Sequence, residues 1–200
     1  MTFASEINRA LDESLAADSN VVVGGQQVRF GVAGMTAGLY EKYPTQFITY
    51  PTSEALMNSA AMGLALAGKR PVTIHVRMDF LTCGMDALVN HIPVWYKKGI
   101  PMPTVFICQV GKGMGQGPQH SKDLTSWFRR LEGWHVEVPT SPEMAYETLK
   151  AAIFGDRPVM YVIHRELFGR SEDVSCELKT WDTVRYCGAS RSHEKAFYGD

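Results

Sequence analysis

The sequence is short of cysteine, has no surplus of either charge and carries no long apolar run, and each shortage closes off a class of protein. Cys83, Cys108, Cys176 and Cys187 are the only cysteines in 200 residues, with no C-x-x-C pair and no histidine at metal-ligand spacing. Widely spaced cysteines of this kind exclude a disulfide framework and a zinc module, and they predict reduced thiols. Twenty Lys plus Arg stand against 21 Asp plus Glu, for a net charge of -1. The basic excess that phosphate-backbone binding requires is missing, so no nucleic-acid partner is expected. The longest apolar-rich stretch, Ala55 to Ala67, is broken by Asn58 and Ser59 and is too short to span a bilayer, so no membrane partner is expected. Glu6, Arg9, Asp12 and Glu13 interrupt the first turns, where an export signal needs a basic start and an apolar run. A cytoplasmic location follows as the expectation. No G-x-S-x-G elbow, H-E-x-x-H pair or D-x-D cluster occurs, which excludes a serine hydrolase, a zinc protease and a self-contained phosphoryl-transfer site.

What is present is an ordinary globular composition, 45% apolar and 10% aromatic. A chain of this length buries roughly 70% of its unfolded surface. Along residues 5 to 168 helical and strand periods alternate. Ser5 can cap a helix on Ile7, Leu11 and Leu15, and Val21 to Val23 follow as a strand. Met35 to Tyr43 reads as a short helix, Phe47 to Tyr50 as a strand, and Thr52/Ser53 as the cap of a helix from Glu54 to Ala67. Pro71 to Val76 is a strand; Met85 to Lys98 is a helix that Pro93 kinks or shortens; Thr104 to Val110 is a nearly continuous apolar strand. A glycine-rich loop, Gly111 to Gly117, leads to a helix from Ser121 to Leu131 and a strand from Trp134 to Val138. Thr140-Ser-Pro-Glu143 opens a helix that runs to Gly155, and Pro158 to Ile163 makes a sixth strand.

This alternation predicts an α/β, doubly wound, mostly parallel six-stranded sheet with helices on both faces. One domain, residues 1 to 169, is expected, followed by a polar C-terminal tail, 170 to 200, that lies on the surface or docks on a partner. In such sheets ligands bind beyond the carboxyl ends of the strands, which directs attention to the residues after Tyr50, Val76 and Val110. Glu54 falls there, either as an acidic residue favoured by the helix dipole or as a carboxyl group held in an apolar crevice to exchange a proton with a ligand nitrogen. His120 stands before a helix, either structurally bonded or set at the crevice edge for proton transfer. The other histidines considered, His75, His91, His135 and His164, read as structural. The glycine loop fits neither G-x-G-x-x-G nor a P-loop, and it reads as a flexible turn at a site mouth.

Taken in order, several segments resemble the beta subunit of the decarboxylating component of 2-oxo acid dehydrogenases, within the transketolase-like thiamine diphosphate enzymes. They are Gly25-Gln-Gln-Val28, Tyr50-Pro-Thr-Ser-Glu54, Ala67-Gly-Lys-Arg-Pro71, Phe80 to Asn90 with Asp86, Pro118-Gln-His-Ser121 with Trp127, and Asp156-Arg-Pro-Val159 to Gly169. The resemblance implies a domain that binds the aminopyrimidine half of thiamine diphosphate at an interface with another chain. It makes Glu54 the cofactor-activating carboxyl, which favours the imino tautomer whose exocyclic nitrogen removes the thiazolium proton. It puts Phe80 beside the pyrimidine, with Val76, Cys83 and Gln27 among the cofactor-binding positions, and turns His120 toward the substrate. It implies that Mg2+ is held by a separate alpha-type subunit carrying a G-D-G motif, in an assembly of two copies of each chain. The implied reaction cleaves a 2-oxo acid or ketose and transfers the acyl or ketol fragment.

Some residues depart from that family. Gln26 and Gln27 stand where acidic residues are usual, so a carboxylate relay between paired sites is expected to be absent. Arg77 and Asp79 replace small polar residues, and Cys83 replaces a longer amide, which points to an altered substrate. Where the family subunit continues into a further domain, only about thirty polar residues follow Gly169, which speaks against membership of a large lipoyl complex. The second reading is a non-catalytic assembly or regulatory subunit that keeps the fold; a flavodoxin-like or nicotinamide-binding domain comes last.

Overall fold

The computed structural model describes residues 1–169; the predicted tail, with Cys176 and Cys187, lies outside the described residues. Six strands form one sheet: β1 Val21–Gly25, β2 Phe47–Thr49, β3 Arg70–Val76, β4 Val105–Val110, β5 His135–Glu137 and β6 Val159–His164. Their order is β2-β1-β3-β4-β6-β5, and every neighbouring pair is parallel. The doubly wound α/β class expected from the alternation is what the chain adopts.

The central strands are apolar on both faces because helices cover both. On one face Val105, Ile107, Val159, Tyr161 and Ile163 pack with Ile7, Leu11, Leu149 and Ile153 of helices α1 (Phe3–Ala17) and α6 (Pro142–Phe154). The intervening residues Phe106, Cys108, Val110, Met160 and Val162 face a second core with α3 (Glu54–Leu66), α4 (Ile92–Lys97) and α5 (Thr125–Arg130). This split follows from the two-residue period of a strand.

Three helices begin at residues other than those expected. Thr2, not Ser5, caps α1: its Oγ1 accepts the Ser5 N–H at 3.2 Å, and Phe3 is buried against Phe168. The helix expected over Met35 to Tyr43 shortens to α2, Leu39–Lys42, because Gly38 before it has left-handed backbone, φ 73°. The helix expected from Ser121 shortens to α5, and two carboxylates hold backbone N–H groups at and before its start. Asp79 accepts the Lys122 N–H and Asp123 accepts the Thr125 N–H.

Pro93 has the effect predicted for it, by a specific route. Before α4 the chain makes a wide, π-type turn, Ala87–His91, in which the Ile92 N–H bonds the Ala87 carbonyl. In that register the Leu88 carbonyl should take the next N–H, but residue 93 is proline and has none. The Trp134 indole N–H donates to the Leu88 oxygen instead, at 2.8 Å. Trp134→Phe should therefore strip a buried acceptor of its donor and cost roughly 1 to 3 kcal/mol. Chemical denaturation of Trp134→Phe beside a control substitution at Trp127, a residue that is 55% exposed, tests this; equal losses in Trp134→Phe and Trp127→Phe would contradict it.

Candidate functional site

The strand order reverses between β1 and β3: from β1 the chain passes to β2 on one side, then returns to place β3 on the other. A cleft opens at such a switch point, beyond the carboxyl ends of the strands. Here the cleft holds about 480 Å3. Gln26 and Gln27 follow β1, Glu54 follows β2, Val76 ends β3 and Arg77 follows it, Gln109 lies near the end of β4, and Arg165 follows β6; all line it.

Glu54 is the first residue of α3. Ser53 caps that helix, its Oγ accepting the Leu56 N–H at 3.3 Å, so the carboxyl is fixed at the end nearest the sheet. Gln26 Nε2 donates to Glu54 Oε1 at 3.1 Å. The turn at Gly84 presses on the same point: a Cβ there would lie 2.8 Å from the Glu54 carbonyl oxygen, and Asn58 Nδ2 donates to the Gly84 oxygen at 3.1 Å. Glycine is required at 84 by this approach. Gln27, at φ 54°, takes the left-handed backbone that turns the chain away from the sheet into the cleft wall.

His120 ends the single turn Pro118–His120, and its ring meets Phe80 edge to face at 5.3 Å between centroids. Phe80 and His120 are thus brought together, and Asp79 fastens the segment after His120 through the Lys122 N–H at 3.0 Å. Neither Phe80, His120 nor Cys83 is among the residues lining the cleft of Gln26 and Glu54; Gln27 and Val76 are. Cys83 is an exposed free thiol and Cys108 a buried one, and burial raises the Cys108 pKa well above its ordinary value. Among the described residues, no three His, Cys, Asp or Glu side chains cluster to hold a metal ion, and no helix is long and apolar enough to cross a membrane.

Three lining residues were not singled out as site residues in the sequence. His75 read as structural, yet it lines the cleft and its buried Nε2 has no hydrogen-bond partner. Gln109 is fully buried on β4; its Oε1 accepts from Arg77 Nη1 at 2.9 Å, and its Nε2 is unpartnered. Arg165 follows β6 and packs on the Phe168 ring. The available signal was a histidine and a glutamine inside otherwise apolar strands, which a buried sheet tolerates only with partners.

The fold and cleft define a class, the parallel α/β domains that bind a ligand at a switch point. The chain belongs to the family described as Transketolase, pyrimidine binding domain, which it matches over residues 1–170. It is 35% identical, over 89% of its length and 51% of the relative's, to the beta subunit of the pyruvate dehydrogenase E1 component of Pisum sativum, a mitochondrial protein. It is 30% identical, over 84% of its length and 54% of the relative's, to the beta subunit of acetoin:2,6-dichlorophenolindophenol oxidoreductase of Cupriavidus necator. The chain thus spans about half the length of the curated relatives it matches. A solved split-gene transketolase, an inactive beta4 tetramer, shares the fold with a TM-score of 0.70 at 19% identity, covering 86% of this chain and 53% of that one.

Burial alone pulls the His75 imidazole down to about 3, so it is neutral in the folded protein. An unfolded histidine titrates near about 6.5, so below that pH the unfolded state binds the extra proton and folding weakens as pH falls toward 3. Between about pH 7 and pH 5 this site should remove roughly 2 kcal/mol of stability. Denaturation of His75→Phe at the two pH values should show a smaller loss than wild type; equal losses would contradict the assignment.

Proposed function

We propose that this chain is the pyrimidine-domain, beta-type subunit of a split, heteromeric thiamine diphosphate enzyme that cleaves a 2-oxo acid or ketose and transfers the acyl or ketol fragment. The observation that carries this reading is the Glu54 carboxyl, held by Gln26 at the mouth of the switch-point cleft. The names of the relatives support a beta-type role beside a second chain.

The residues present fit the aminopyrimidine half of the cofactor. A flat heteroaromatic ring with a ring nitrogen and an amino group needs a carboxyl partner, apolar walls and a few polar contacts. The cleft offers Glu54, then Met57, Val76 and Phe30, then the unpartnered Nε2 of His75. When bound, thiamine diphosphate supplies a carbon nucleophile and an electron sink. Glu54 holds a proton at the pyrimidine ring nitrogen, and Gln26 fixes the carboxyl that shares it. Val76 and Gln27, which line the cleft, would contact the ring; Phe80 and Cys83 would reach it only from the segment that follows β3, outside the cleft lining. His120, backed by Phe80, faces the substrate and moves a proton there.

The diphosphate and its Mg2+ belong, on this reading, to a separate alpha-type chain in an α2β2 assembly. Decarboxylation, carboligation and ketol transfer share this first activation and differ in the residues around the substrate. The cytoplasmic setting rests on composition, and relatives named above include a mitochondrial protein.

With a partner chain that supplies the magnesium site, Glu54→Gln should lower turnover by about 100-fold or more. His120→Ala should lower kcat more than it weakens thiamine diphosphate binding. Wild-type turnover in both variants of a verified complex would contradict these roles.

A further inference from the structure

The cleft carries positive charge that the cofactor-activating role of Glu54 does not use. Two arginines, Arg77 and Arg165, line it beside one carboxylate, Glu54. Among the described residues, no carboxylate lies within ion-pair distance of either guanidinium. Arg77 is 9% exposed. Burial, then the like charge of Arg165, draws its pKa down, and Asp79 draws it the other way. A nearly buried arginine without a contacting anion is costly unless a ligand supplies one.

The partners Arg77 does have are neutral amides. Its Nη1 donates to Gln109 Oε1 at 2.9 Å. Its Nε and Nη2 both donate to Gln116 Oε1, at 3.0 and 2.7 Å. The Nε/Nη2 edge is the fork that binds a carboxylate or phosphate with two parallel bonds. A single amide oxygen occupies it here. Gln116 is exposed and belongs to the glycine-rich loop Gly111 to Gly117, so moving its side chain into solvent uncovers the fork without opening the buried core. The opposite end of the same loop is fixed. A Cβ at Gly111 would lie 2.8 Å from Arg77 Nε and 2.3 Å from the His120 oxygen, so glycine there lets the loop seat on the arginine and the His120 turn together. The unpartnered, fully buried Nε2 of Gln109 adds a further donor to the cleft.

We propose that Arg77, assisted by Arg165 and the Gln109 amide, is the oxyanion receiver of this cleft, binding the acidic group of the substrate when Gln116 leaves the guanidinium fork. The substrate class is a compact oxo compound bearing a carboxylate or a tetrahedral phosphonate- or sulfonate-type group. The inference rests on the cleft being the site where thiamine diphosphate and substrate meet.

The test titrates malonate and methylphosphonate into the full chain by calorimetry, with thiamine diphosphate binding to the partnered complex measured separately. Saturable anion binding is expected, weakened about tenfold or more in Arg77→Met and less in Arg165→Gln. Arg77→Lys should retain part of the affinity, because it keeps the charge and loses the fork. Gln116→Ala, a surface change that leaves the fold intact, should tighten binding by removing the competing oxygen. Whichever anion binds more tightly identifies the planar or the tetrahedral group as the one received. Unchanged anion affinity in Arg77→Met, no saturable binding by wild type, or no gain in Gln116→Ala would overturn the proposal. If Arg77→Met loses anion binding yet keeps thiamine diphosphate, the receiver stands as a site separate from the cofactor. If wild type binds the anions but its complex never binds thiamine diphosphate, the cofactor reading fails and the receiver remains.

Discussion

The parallel pairing of β1 with β3 is the constraint on which the site depends. Gly25 lies opposite Ile74 in that ladder, and a Cβ on Gly25 would stand 2.8 Å from the Ile74 carbonyl oxygen. This close approach lies at the last rung of the pair, after which the chain turns through Gln26 and Gln27 on one side and, two residues on at the end of β3, reaches Arg77 on the other. Because the sheet grows outward in both directions from this pair, no crossover covers the gap above it. Glu54 then enters from α3, the helix that follows β2, and meets Gln26 across the gap.

Around this gap the interior carries buried polar groups. Buried side-chain atoms without partners include His75 Nε2, Gln109 Nε2 and Asp79 Oδ2, and the first two line the cleft. Each such group costs about 1 to 3 kcal/mol relative to a satisfied one. A fold that carries several of them at one end of its central strands gives up stability where a ligand restores the missing bonds. The two fully packed cores on either face of the sheet offset that loss.

The fold was legible because strand and helix periods alternate along the chain: the central strands β1, β3, β4 and β6 are apolar runs of five to seven residues, and the long helices α1, α3 and α6 each begin at a Thr or Ser cap. The errors fell where tertiary hydrogen bonds override local preference. Asp79 and Asp123 hold the Lys122 and Thr125 N–H groups where α5 begins late, and Trp134 supplies the donor that lets the chain widen ahead of Pro93. Glu54 was legible from its place after a strand and before a capped, small-residue helix. His75, Gln109 and Arg165 were not, because their shared surroundings arise from strand neighbours far apart in sequence. Gln26 stood out only as a departure from a family pattern, and its contact with Glu54 emerged from the geometry of the cleft.

The central claim is that Glu54 and its cleft receive the aminopyrimidine of thiamine diphosphate in concert with a second chain. Calorimetric titration of thiamine diphosphate with Mg2+ tests it most directly, on this chain alone and on its complex with a magnesium-site subunit encoded nearby. The account predicts weak binding to the chain alone and tight binding to the complex, lost in Glu54→Gln. Absence of binding in a complex that forms stably, or tight binding that Glu54→Gln leaves unchanged, would contradict it and return Glu54 to the role of a helix-start residue.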